Sequence, residues 1–219
     1  MNKKIMCKFG SIFLLVILAG CSTPKTFITN SQPKTYEVQT KHTVFFEQSI
    51  DATWNDLLTI FATSEYKIES INMNAHMVTL RYIGKPDLYI DCGTKRINTE
   101  GNEVAIINSK RLYSYRAYQY IHLETYSVTN NFTGYVNLLV TGNDISSKVL
   151  AQFDLELDTE VKRTTTRGKN FSSNQKEKLK LNSFKPTRSE LFKTNCRSTG
   201  ELERQVYKII SLMHVASSN

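Results

Sequence analysis

Hydrophobic and polar residues alternate most strictly between Val149 and Val161. Val149, Ala151, Phe153, Leu155, Leu157 and Val161 fall on one side of an extended chain. Gln152, Asp154, Glu156, Asp158 and Glu160 fall on the other. A period of two over this length predicts a strand with one face on a core and one in water. Residues 132–140 predict its partner, because Phe132, Val136, Leu138 and Val140 alternate with Tyr135, Asn137 and Leu139. Gly142-Asn143-Asp144 supplies the turn between them. A helical period occurs twice. Trp54, Leu57, Leu58 and Phe61 make one helical face, with Asp51 as the expected cap. Leu202, Val206, Ile209, Ile210 and Met213 make another, opened by Ser198-Thr199-Gly200-Glu201, which has capping-box spacing.

Shorter strands are expected over residues 43–47, 66–71 and 77–83, with extended segments at 88–93 and 184–194. Residues 162–182 carry Lys162, Arg163, Arg167, Lys169, Lys176, Lys178 and Lys180 with few large apolar groups. They are read as a long mobile hairpin loop. Hairpin-linked strands with one wet face need a covering layer, and two amphipathic helices can supply it. The expected fold class is therefore α+β: a curved antiparallel sheet packed on two helices, gripping a long C-terminal helix.

The first residues change the reading of everything after them. Lys3, Lys4 and Lys8 precede an apolar run over residues 12–17, which leads into Leu18-Ala19-Gly20-Cys21. That run is too short to span a bilayer, which takes about 20 apolar residues. It has the form of an export signal. Leu-Ala-Gly-Cys resembles the lipobox of bacterial lipoproteins. The resemblance implies cleavage after Gly20 and lipidation of Cys21. Residues 1–20 are then a signal peptide, and 21–40 a lipidated flexible tether containing Pro24 and Pro33. Residues 41–215 are the single folded domain, and 216–219 a frayed tail. Ser22 follows the lipidated cysteine where an Asp would favour inner-membrane retention in enteric-type bacteria. The expected location is the outer membrane, with the domain facing the periplasm and cell-surface exposure as the alternative.

Processing also simplifies the cysteines. Cys7 leaves with the signal and Cys21 carries lipid, so Cys92 and Cys196 remain. In an oxidising compartment they are expected to pair as a disulfide, with two buried free thiols as the alternative. The 219-residue chain has a net charge of +8. Without the three leader lysines the excess is +5, which suits an anionic surface but is no nucleic-acid signature.

A second resemblance lies in the patterns at 51–61, 66–71 and 77–82. With them stand Tyr89-Ile90-Asp91-Cys92-Gly93 and Cys196-Arg197-Ser198-Thr199-Gly200-Glu201-Leu202-Glu203. Together they resemble the helix-grip domains of BamC-type envelope lipoproteins, over about residues 41–215. The BamC type carries two such domains, whereas this chain has room for one.

Catalytic patterns are missing from the sequence. His42, His76, His122 and His214 have no second histidine at metal-ligand spacing. There is no nucleophile elbow, phosphate-binding glycine loop or dinucleotide fingerprint. No cofactor, metal or enzymatic activity is expected. The acidic row Asp154, Glu156, Asp158 and Glu160 is read first as a solvated face, and second as a site for calcium or a basic partner. Tyr113, Tyr115, Tyr118, Tyr120 and Tyr126 lie within fourteen residues. They form either a partner-binding surface or ordinary strand packing, since tyrosine gives large contact area at low entropic cost.

The expected function is that of a non-enzymatic, lipid-anchored interaction or assembly module. Its partners would be the membrane, through Cys21, and other envelope proteins. The alternative is a periplasmic carrier that holds a lipid or small apolar ligand between sheet and C-terminal helix. Phe153, Leu155, Ile209 and Met213 would line that cavity.

Overall fold

The computed structural model describes residues 26–34, 43–99, 102–107, 112–119, 122–165, 172–181, 186–191 and 193–216. The first third contains strands β1 (Thr26–Ser31) and β2 (Thr43–Phe46), helix α1 (Ile50–Ala62), and strands β3 (Lys67–Asn72) and β4 (Met77–Gly84). A short helix α2 (Pro86–Tyr89) follows, with β5 (Ile90–Asp91), β6 (Thr94–Thr99), β7 (Asn102–Ile107) and β8 (Leu112–Gln119). Two long strands, β9 (His122–Gly142) and β10 (Ser147–Thr165), form the centre. The chain ends with β11 (Ser172–Leu181), β12 (Thr187–Ser189), β13 (Thr194–Ser198) and helix α3 (Glu201–Ala216).

The β9–β10 hairpin is the spine. It is in register from Gly142 opposite Ser147 to Glu124 opposite Thr165. Asn143 closes its turn: the side-chain Oδ1 accepts from the backbone N–H of Ile145 at 3.0 Å and of Ser146 at 2.9 Å. Each outer side of the hairpin carries two strands end to end. On β10, β2 pairs near the turn and β11 farther out. On β9, β4 pairs toward the turn, with β3 beyond it, and β8 pairs at the far end. Two smaller sheets stand apart, in the orders β1-β6-β7 and β12-β13-β5. Every one of these pairings is antiparallel.

Helix α1 starts at Ser49, whose hydroxyl accepts from the Ala52 N–H at 3.2 Å. The cap is thus Ser49 and not Asp51, which lies in the first turn where its charge favours the helix dipole. The helix buries Trp54, Leu57 and Phe61, as its spacing predicts. Helix α3 buries Leu202, Val206, Ile210 and Met213 in the same core, which also holds Leu80, Leu138, Val149 and Leu155 of the sheet. Each such side chain stabilises the fold by about 1.5–3 kcal/mol.

Four further expectations need correction. The α+β class with two main helices holds, but the curved, helix-grip-like sheet does not. The seven-stranded sheet is open, neither curved around the helix nor closed, and six further strands are divided between two separate ladders. The spine is too long for one helical layer: β9 has 21 residues, whereas α1 has 13 and α3 has 16. Within the stretch read as a tether, Thr26–Ser31 forms β1 and is paired along its length to β6. The basic stretch read as a loop continues β10 to Thr165 and supplies β11 from Ser172, where Lys176 pairs with Glu160 and Lys178 with Glu156 across the strands. Last, the capping box does not close through Glu201. Ser198 Oγ accepts from the Gly200 N–H at 3.0 Å and donates to the buried Glu203 carboxylate at 3.2 Å. Glu201 instead binds Arg204 at 2.6 Å.

Candidate interaction surface

The disulfide between Cys92 and Cys196 is present, closing a separation of 104 residues. It sits where β13 pairs with β5, with Arg197 opposite Asp91 and Ser198 opposite Ile90. It therefore fastens the lead-in to α3 to the residue that follows β5. Cys21 lies outside the described residues.

The described tyrosines of the expected cluster lie on two paired strands, β8 and β9. Tyr113, Tyr115 and Tyr118 belong to β8, and Tyr120 lies outside the described residues. Tyr115 is opposite Tyr126, Tyr113 opposite Val128 and Tyr118 opposite Leu123. Tyr126 is half-buried and donates to Glu124 Oε2 at 2.6 Å. Glu124 is itself buried and is the carboxylate bound by Arg163. One member of the expected binding cluster is thus engaged in an internal polar network.

A different aromatic row was missed by the sequence reading. Phe61, Tyr66, Tyr82, Tyr89 and Phe132 follow one another with ring centroids 5.7, 5.3, 5.2 and 4.8 Å apart. They come from five separate elements and connections, so no sequence window holds the pattern. Burial pushes the phenols of Tyr66 and Tyr89 well above their ordinary value. Tyr207 is pushed up to about 12, by burial first and then by the charge of Glu203. Phenols held this way stay protonated at neutral pH and are poorly placed for acid–base work, which needs a pKa near the operating pH.

The outer face of the spine is a charge ladder. Glu156 is opposite Lys180, Asp158 opposite Lys178 and Glu160 opposite Lys176. Lys178 reaches diagonally to Glu156 at 2.8 Å, and Glu160 lies 3.8 Å from Lys176 and 3.9 Å from Lys162. A hydrogen bond from Asn174 at 2.7 Å, reinforced by the two lysines, holds the Glu160 carboxyl below the usual range. Glu156, Asp158 and Glu160 of the acidic row thereby stand opposite lysines of the same sheet, while Asp154 stands opposite Tyr135. Among the described residues no group of three or more His, Cys, Asp and Glu is arranged to hold a metal ion. His76 is instead 3.3 Å from Asp51, with its ring edge-on to Trp54.

The apolar opportunity lies at the hairpin turn. A groove of about 530 Å³ runs between β2 and the turn, lined by Phe45, Phe46, Thr141, Ser146, Ser147 and Lys148. Phe45 is 72% exposed, and Ile145 in the adjoining turn is 78% exposed. Thr53 and Ser147 hydroxyls meet at 2.6 Å beneath, fixing the strand to α1. This surface offers apolar area beside edge strand β2, with Glu47 and Lys148 at its rim.

Comparison with known proteins finds no matching family model, no similar curated protein and no similar solved structure. The likeness to BamC-type lipoproteins accordingly rests on the quoted residues alone.

Proposed function

We propose that the chain is a non-enzymatic, lipid-anchored envelope lipoprotein of the outer membrane, acting as a tethered interaction module for other envelope proteins. The observation that carries this reading is the Cys92–Cys196 disulfide. Disulfides persist in oxidising compartments such as the periplasm. With those two cysteines bonded to each other, Cys21 is the cysteine left after Gly20 to take lipid. The exposed Phe45 and Ile145 beside the turn groove are the contact surface favoured for a partner.

The carrier alternative draws less support. Phe153, Leu155 and Met213, expected to line a ligand cavity, are buried in the common core. The Phe153 ring packs on Tyr207 at 5.8 Å.

The test is Cys21→Ala. The variant is expected to leave the membrane fraction and appear soluble, with an unchanged circular dichroism spectrum. A variant that still floats with membranes overturns the lipid-anchor reading.

A further inference from the structure

Strand β1 lies between the proposed anchor and the domain, and it is docked. It pairs with β6 over six positions, from Thr26 opposite Thr99 to Ser31 opposite Thr94. The Ser31 hydroxyl accepts from the Thr94 N–H at 3.0 Å. The Lys34 N–H donates to Asp91 Oδ2 at 2.9 Å, and Asn195 donates to Gln32 at 3.4 Å. Gly93 makes the close approach feasible: it has φ +69°, and a Cβ there would stand 2.1 Å from the Ser31 carbonyl oxygen.

Only residues 22–25 separate Cys21 from Thr26. Five extended residue steps reach at most about 18 Å. The headgroup layer takes up roughly 5–8 Å of that. The start of β1 is thus confined to about 10 Å from the membrane surface. Phe27, the next residue, is 58% exposed. An aromatic ring held at that height gains by entering the headgroup boundary, where apolar surface leaves water.

We infer that the domain lies against the bilayer bearing its own anchor, along the Thr26–Thr99 end of the β1-β6-β7 sheet, with Phe27 in the lipid interface. This rests on the lipid-anchor reading and deepens it. The anchor would then act as a short clamp that fixes which side of the domain faces the membrane. The turn groove near Phe45 belongs to a different sheet from the clamped one.

The test uses full-length lipidated protein on phospholipid vesicles, with brominated lipid as a short-range quencher of tryptophan emission. Trp54 is the chain's single tryptophan and is buried, so the native protein is the control. Phe27→Trp is expected to lose emission on brominated vesicles while the native protein does not. Hydrogen exchange of the unsubstituted protein is the second measurement. Residues 26–31 and 94–99 are expected to exchange more slowly on vesicles than in soluble Cys21→Ala protein. If protein floats with vesicles but neither quenching nor protection appears, the inference is overturned and the anchor survives. If it does not float, the anchor reading fails, and this inference with it.

Discussion

Near the Asn143 turn, the core face of the β9–β10 hairpin presents Val136, Leu138, Val140, Val149 and Ala151, under helices α1 and α3. Toward its far end the same face presents Glu124, Tyr126, Asn130, Thr159 and Arg163. Asn130 and Thr159 are both buried and bond each other at 2.7 Å. Glu124 takes hydrogen bonds from Tyr126 and from Arg163. The alternation along the strands is continuous, so the change is one of chemistry and not of side. The apolar half is stabilised by volume and burial. The far half also buries Val128 and Leu157, but its polar members depend on matching, because a buried polar group without its partner costs about 1–3 kcal/mol.

The largest effect is expected in the apolar half. Leu138→Ala leaves a cavity beneath α1 and should lower stability by about 2–5 kcal/mol in urea unfolding. A loss no greater than that of an exposed substitution would mean this half is not close-packed. The polar half should respond differently. Glu124→Ala strands the Arg163 guanidinium, whose Nε already lacks a partner among the described residues. Its side chain is about one-third exposed, so the cost should be smaller than that of Leu138→Ala. Removing both charges in Glu124→Leu/Arg163→Met should restore most of that loss. A double variant as weak as the sum of its parts would show that the pair is not coupled.

The smallest effect lies on the outer face and sharpens the contrast between paired charges inside and outside. Asn174→Ala should raise the Glu160 carboxyl toward its ordinary value, read by NMR titration. A carboxyl lowered in the folded state adds stability above its unfolded pKa and loses it as pH falls through the folded value. The Asn174 variant should therefore lose that contribution at a higher pH than the native protein. An unmoved titration would assign the shift to Lys162 and Lys176 alone.

What the sequence revealed follows from which forces were local. The faces of α1 and α3 and the alternation of β10 were legible because each has a large apolar set at regular spacing. The Cys92–Cys196 bond was legible by elimination, on the reading of the first residues as a leader and of Cys21 as its lipidated cysteine. Strands β1, β6 and β11 were not. Their sequences, Thr-Phe-Ile-Thr-Asn-Ser, Thr-Lys-Arg-Ile-Asn-Thr and Ser-Ser-Asn-Gln-Lys-Glu-Lys-Leu-Lys-Leu, hold few apolar residues. They are strands because distant partners complete their hydrogen bonding. For β11 those partners also place carboxylates opposite lysines. Openness of the sheet was equally hidden, since it depends on how far β9 and β10 outrun the helices. The Tyr113–Tyr126 cluster looked continuous in sequence, yet Tyr126 is turned to an internal carboxylate that no nearby spacing signals.

The order of pairing also sets a timetable. Strand β2 waits for residues 147–150, β4 for 132–139, and β5 for 197–198. Loop closure over such separations is slow and must precede the contacts that reward it. The first third of the chain therefore has only its own helix and the β3–β4 hairpin to form while the rest is being delivered. The core closes only when helix α3 arrives, and the Cys92–Cys196 disulfide, whose two thiols pass two electrons to an oxidant of the compartment, can form only once residue 196 has been delivered.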